Sequence, residues 1–164
     1  MYLHPLQSIL DALIQQRCWS VIAGEGTGSH VSLQFGEKRR MRIPIRNPLL
    51  SEIERTHEGE FSVFLKMCGW RLDGLNSVIC ASTSSNEAGG PMLSGLHHLI
   101  GEKIIRAQAM HPGKDMELLF SGDFCLRVFC DQTEDGYDNY SLRHSGDSIV
   151  AVGPKGVIQV ERDD

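Results

Sequence analysis

Read as apolar and polar positions, the chain runs through one order of elements twice. Leu6, Ile9, Leu10, Leu13 and Ile14 stand at i, i+3, i+4, i+7 and i+8, the stripe of a helix that buries one face. Met92, Leu93, Leu96, Leu99 and Ile100 make a second stripe. Pro5 and Pro91 each sit where a first helical residue is expected, and Gly101 suits a left-handed helix end. After each helix the period changes to two. WSVIA (19–23), HVSLQF (30–35) and RMRIPI (40–45) follow the first helix. KIIRAQA (103–109), DMELLF (115–120) and FCLRVF (124–129) follow the second. Pro44 has no backbone donor, so its strand is an edge or ends there. FSVFLKM (61–67) and NYSLRH (139–144) read as fourth strands. SVICAS (77–82), SIVAV (148–152) and VIQV (157–160) supply further pairing.

Sliding the chain by 85 residues places Leu33 on Leu118, Phe35 on Phe120, Arg42 on Arg127, Ile43 on Val128 and Gly28 on Gly113. With the offset unchanged, Ile14 falls on Leu99 and Trp19 on Ile104. The expected fold is α+β and mainly antiparallel. Two pseudo-repeats, 5–81 and 91–160, each a helix plus four or five strands, form one curved sheet or partial barrel. The Ser- and Gly-rich stretch 82–90 links them, and residues 1–164 make a single domain. A chain of this length buries roughly 70% of its unfolded surface.

The repeat decides how GEGTGSH (24–30) is read. A Walker-type loop ends in Lys-Ser/Thr before a helix, and a dinucleotide loop spaces its glycines GxGxxG, also before a helix. Here the spacing is GxGxG and a strand follows. The segment takes the place of MHPGKD (110–115), so it is a hairpin turn whose glycines supply positive φ.

Composition narrows the partners. Net charge is −5 and the charged fraction 23%, which argues against nucleic acid. No apolar run approaches the roughly 20 residues that span a bilayer. MYLHPLQSIL carries no basic segment ahead of an apolar one, so a cytoplasmic protein is expected. Five cysteines without CxxC spacing read as buried, reduced thiols. Cys–His catalysis would take Cys18 with His30 or His57 as base, or Cys18 or Cys68 clustered with a His and a carboxylate, and nothing in the spacing brings such groups together. The seven histidines show neither HxH nor HExxH. His97 and His98 are adjacent on the second helix and point apart. No catalytic residue, metal or cofactor is expected. Trp19, Trp70 and Tyr140 are read as core. EKRRMR (37–42) is the solvent face of a strand with a turn.

The acid is concentrated in DQTEDGYD (131–138), with four carboxylates in eight residues. It lacks the DxDxDG order of a calcium loop. Asp131, Glu134, Asp135, Tyr137 and Asp138 are the candidate contacts for a basic partner.

WSVIAGEGTGSHVSLQFG, CGWRLDG, LHHLIGEKI, LRVFCDQTEDGYDNYSL and VGPKG resemble a group of small bacterial proteins. Some of these are similar to immunity proteins of polymorphic-toxin and contact-dependent growth-inhibition systems. The resemblance spans about residues 10 to 155 and rests on strand and turn residues. It implies a stoichiometric inhibitor, not an enzyme, that binds one toxin domain, often a basic nuclease, and blocks its active site. A curved sheet that binds a small molecule is the alternative, and an enzyme a lesser one.

Overall fold

The computed structural model describes residues 4–24, 27 and 30–164. The fold is α+β and mainly antiparallel, with few helical residues. Helix α1 (Pro5–Leu13) opens with Pro5 in its first turn, and the His4 ring accepts a hydrogen bond from Leu6 N–H. Leu6, Ile9, Leu10 and Leu13 are buried, so the predicted stripe is the packed face. Ile14 lies beyond the helix, extended and partly exposed.

Strands β1 (Cys18–Ile22), β2 (Val31–Arg40) and β3 (His57–Leu65) pair in order. The chain then crosses to a second sheet and lays down β4 (Gly69–Asp73) and β5 (Val78–Ala81). Helix α3 (Pro91–Leu96) and a 3-10 turn follow; before them a short helix α2 (Glu52–Thr56) precedes β3. Strands β6 (Ile104–Met110), β7 (Asp115–Phe120) and β8 (Phe124–Phe129) complete the second sheet. The chain returns for β9 (Tyr140–His144), β10 (Ser148–Val152) and β11 (Ile158–Arg162). The sheets are ordered β1-β2-β3-β9-β10-β11 and β5-β4-β8-β7-β6. Each therefore takes strands from both ends of the chain: β9 pairs with β3, and β4 pairs with β8.

Where one curved sheet or partial barrel was expected, the strands form two sheets. Their inner faces share one core, in which Phe35 of β2 stacks on Phe120 of β7 with centroids 6.1 Å apart. Leu33, Phe35, Leu118 and Phe120 are all buried, as alternation predicts. At one edge the sheets touch. Arg17 and Lys103 form an isolated bridge, and Cys18 N–H donates to Glu102 O at 2.9 Å. Helix α1 packs on β6, β9 and β10, and α3 on β5 and β1. Gly95 of α3 sits against Cys80, whose Sγ would lie 2.6 Å from an added Cβ.

Several expectations are corrected. Residues 41–45 are not a strand, and Ile43 is 82% exposed. Strand β2 instead continues to Arg40 through a bulge at Gly36, whose φ is +75°. Pro44 cannot donate to a ladder, and β3 rather than 40–45 pairs with β2. Trp19 is half-buried with Lys38 5.1 Å over its ring, while Cys18 takes the fully buried position. The shift of one residue belongs to a register break between Cys18 and Ser20. His97 and His98 lie in the 3-10 turn, not on the helix. In the turn 110–115 the positive φ belongs to Lys114, not Gly113. Of the glycines in GEGTGSH, Gly24 has φ +92°, while Gly26 and Gly28 lie outside the described residues. The segment does join two paired antiparallel strands.

Candidate functional site

The acidic segment is one of the two passages between sheets, from β8 to β9. Its far end is fixed by Asn139, which is fully buried. Asn139 N–H donates to Val152 O at 2.8 Å, its Nδ2 donates to Gly153 O at 3.1 Å, and its Oδ1 accepts from Gln132 N–H at 3.4 Å. Buried amides with every group paired hold backbone rigidly. Lys66 N–H and Met67 N–H donate to the carbonyls of Asn139 and Asp138, which ties the loop to the other passage, 66–68. Gly136, with φ +116°, turns the tip.

The five candidate contacts separate into two groups. Asp131, Glu134, Asp135 and Tyr137 are exposed, Tyr137 by 62%. Asp138 is half-buried, its Oδ2 3.5 Å from Lys66 Nζ. An exposed tyrosine among carboxylates on anchored backbone offers rim charge around an aromatic body, the kind of residue enriched at interface hot spots.

Beside it lies a groove that sequence patterning did not reveal. The outer face of the six-stranded sheet carries two rows set by register. One runs Ser20, Gln34, Ser62, Arg143, Ile149 and Glu161; the other runs Ile22, Ser32, Phe64, Ser141, Ala151 and Gln159. From β2 to β11 these rows line a depression of about 410 Å3 whose wall includes Lys66 and Asp138, and Ser20 and Ile22 of β1 lie outside it. Gln34 Oε1 accepts from Ser62 Oγ and Gly59 N–H, each at 2.7 Å. Arg143 is held by Glu58 and by Asp163, whose Oδ2 is 2.9 Å from Nε. Lys66 is matched by Asp138. The groove floor thus mixes hydroxyl and amide groups with Phe64, Ile149 and Ala151, and both of its cations are matched by carboxylates. Helix α2 borders a neighbouring depression on the same face, lined by Ser20, Ile22 and Glu54. Its Ser51–Glu54 capping box fixes its start, and Glu54 Oε2 accepts from Ser20 Oγ at 3.3 Å. The signal in the sequence was slight: mixed polar and apolar residues at outward positions of five strands look like any solvent face.

The five-stranded sheet carries a charge network on its outer face. Glu117 is 6% exposed. It accepts from Arg106 Nη2 at 2.8 Å, from Gln108 Nε2 at 3.2 Å and from Arg127 Nη1. Arg127 Nε also donates to Asp73 Oδ2 at 3.2 Å, and Arg71 grips Asp73 through both oxygens. The hydrogen bond from Arg71, with Arg127 adding to it against burial, holds the Asp73 carboxyl below its usual range.

Among the described residues, Cys18 makes no hydrogen bond to His30 or His57. Cys18 is fully buried in β1, and burial pushes its thiol up to about 12. Its Sγ donates to Ser20 O at 3.6 Å. His30 packs edge-on against Phe64, and His57 Nδ1 lies 2.8 Å from Thr56 Oγ1. Among the described residues no group of three or more His, Cys, Asp and Glu is placed to hold a metal ion. No helix among them is long and apolar enough to cross a membrane.

No protein-family model, curated protein or solved structure matches this chain. Function is therefore argued from its own surfaces. Trp70 and Tyr140 are core residues as expected. The Tyr140 hydroxyl donates to Lys114 O at 2.8 Å, and burial raises it well above an ordinary phenol.

Proposed function

We propose that this protein is an immunity-type binding protein that neutralises a bacterial toxin domain in the cytoplasm, with the 131–138 loop on the contact surface. The observation that carries the reading is the anchored loop itself. Three exposed carboxylates and Tyr137 project from backbone pinned by Asn139 and by the 66–68 passage. A basic partner such as a nuclease domain would be steered by that charge. The protein acts by occupying its partner, without catalysis. The same reading takes the fold as two helix-and-strand copies whose sheets run on into each other through the Arg17–Lys103 bridge as one curved surface. The register breaks at Cys18/Ser20 in β1 and at Ile104/Arg106 in β6 support that correspondence.

The test is the pair of substitutions Glu134→Ser and Asp135→Ser, with the polypeptide encoded beside this gene as partner. Both side chains are exposed, so folding is unchanged. Binding by calorimetry should weaken about tenfold and show a shallower salt dependence between roughly 50 and 300 mM. Unchanged affinity and unchanged salt slope would remove the loop from the interface. A second reading, a small-ligand site, is favoured by the groove on the six-stranded sheet. Its floor of hydroxyl, amide and apolar groups, with both cations already matched, suits a neutral ligand rather than an anion.

A further inference from the structure

Cys68 and Cys130 stand opposite each other where the β4–β8 pairing ends. The register matches Trp70 with Val128 and Gly69 with Phe129. One further step brings Cys68 against Cys130. Side-chain alternation puts both on one side of the sheet. Trp70 and Val128 point into the core, and the two cysteines, one alternation on, pack partly buried against that core. Directly opposed residues of an antiparallel pair have Cα atoms about 4.5–5.5 Å apart, inside the roughly 4.4–6.8 Å that a disulfide spans. Cys68 is also close enough to act electrostatically on the Cys130 thiol.

The other three thiols lack this relation. Cys18 belongs to the other sheet. Cys125 alternates with the core residues Leu126 and Val128, so it faces away from the core on β8. Cys80 is covered by Gly95 of α3.

The position of the pair gives it a consequence. Cys68 ends the passage from β3 to β4, and Cys130 begins the passage from β8 to β9. The two passages already share the backbone bonds from Lys66 and Met67 to Asn139 and Asp138. A covalent link here would close the near end of the acidic loop, as Asn139 closes the far end. On the Cys130 side the link costs no pairing. Cys130 Sγ donates to Lys114 O at 3.5 Å, and that carbonyl keeps the Tyr140 hydroxyl as donor.

We propose that Cys68 and Cys130 are a dithiol–disulfide pair, oxidised by low-molecular-weight disulfides of the oxidised-glutathione class, whose state sets the mobility of the 131–138 loop. One protein thiolate attacks a glutathione sulfur, forming a mixed disulfide and releasing one glutathione thiol. The second protein thiolate then attacks the protein sulfur of that mixed disulfide and releases the other. Two protein thiols lose two protons and two electrons, and one glutathione disulfide becomes two thiols. Burial pushes both cysteine thiols up to about 12; Asp131 adds to this at both sites, and Asp115 and Cys68 add at Cys130. Little thiolate exists near neutrality, so the exchange is slow and quickens with pH. Tyr140, Asp115 and Asp131 are the charged and titratable groups around it.

The inference stands apart from the toxin reading and is tested without a partner. The intact protein is incubated with oxidised glutathione at mildly alkaline pH, blocked by alkylation, and digested with trypsin without reduction. Mass spectrometry should find Met67–Arg71 joined to Val128–Arg143, with two of the five thiols lost. Cys68→Ser and Cys130→Ser should each abolish the joined peptide, and Cys125→Ser should leave it. Amide exchange across 131–138 should slow several-fold in the oxidised protein. Five free thiols after treatment, glutathione adducts without a link, or a link through another pair would overturn the pairing. Equal exchange rates in the two forms would overturn its control of the loop.

Discussion

Glu117 offers the sharpest test of the energetics, because attraction and desolvation oppose each other there. Its carboxylate is almost fully buried, yet Arg106 and Arg127 have side chains 57% and 39% exposed. Glu117→Gln keeps the shape and leaves an acceptor for Arg106 and Gln108. It turns an amide N–H₂ toward Arg127, donor against donor. One charge-assisted hydrogen bond is lost, worth about 1.5–3 kcal/mol. Arg127 regains water and keeps Asp73, so the net loss should be about 1–2 kcal/mol. Glu117→Ala removes every acceptor and the packed stem, and should cost about 2–3 kcal/mol. Glu117→Met retains the stem and removes the burden of a buried charge, so it should fall within about 1 kcal/mol of wild type. The order expected is Ala worst, Gln intermediate, Met mildest. Urea unfolding followed by tryptophan fluorescence reads it, since Trp70 is only 1% exposed. At this chain length each kcal/mol moves the thermal midpoint by about 2–4 °C. A Met variant that loses more than about 3 kcal/mol would mean that attraction outweighs desolvation, and the reasoning fails.

Two further outcomes are expected. Leu118→Ala should cost about 2–5 kcal/mol, because Leu118 is fully buried between Ala107 and Leu126, while Leu119→Ala on the opposite face should cost under about 1 kcal/mol; equal losses in urea titrations would contradict the register. Asp73 is held below its usual range when folded, so its contribution is complete above the unfolded value of about 3.9 and is lost as pH falls through the folded one. Asp73→Asn should therefore flatten the acid limb of a stability–pH curve below about pH 4, and parallel limbs for the two proteins would contradict this.

Strands β7, β8 and β10 were legible at their true bounds because each is a short apolar-rich run flanked on both sides by turn residues. Both proline-started helices were legible for the same local reason. RMRIPI misled because it alternates well but follows a bulge at Gly36, which no periodicity registers. Strand β4 hid in CGWRLDG, where only the tryptophan was read as core. The capping box of α2 was present in SEIERT but went unread amid exposed apolar residues. Division into two sheets depends on which strands pair, and pairing across a whole chain leaves no trace in local pattern. The acidic loop was visible because it is contiguous. The groove was not, because its floor is gathered from five strands. The Cys68–Cys130 relation needed the register of two strands separated by the whole of α3.

The exchange of strands between the sheets bears on how the molecule is made. Leu65 pairs with Tyr140, seventy-five residues later, and β4 waits for β8. A ribosome that has delivered the first half has therefore delivered neither sheet whole. Strand β3 emerges with a bare edge, and β4 and β5 emerge as an isolated ribbon; both are exposed to stray pairing until the second half arrives. Closure of such long loops makes folding a late event in synthesis rather than a progressive one. By the same logic a chain severed within 82–90 would leave two pieces, each lacking the strands that the other carries. They would assemble only on each other, which makes that break a natural point for a split-protein complementation reporter.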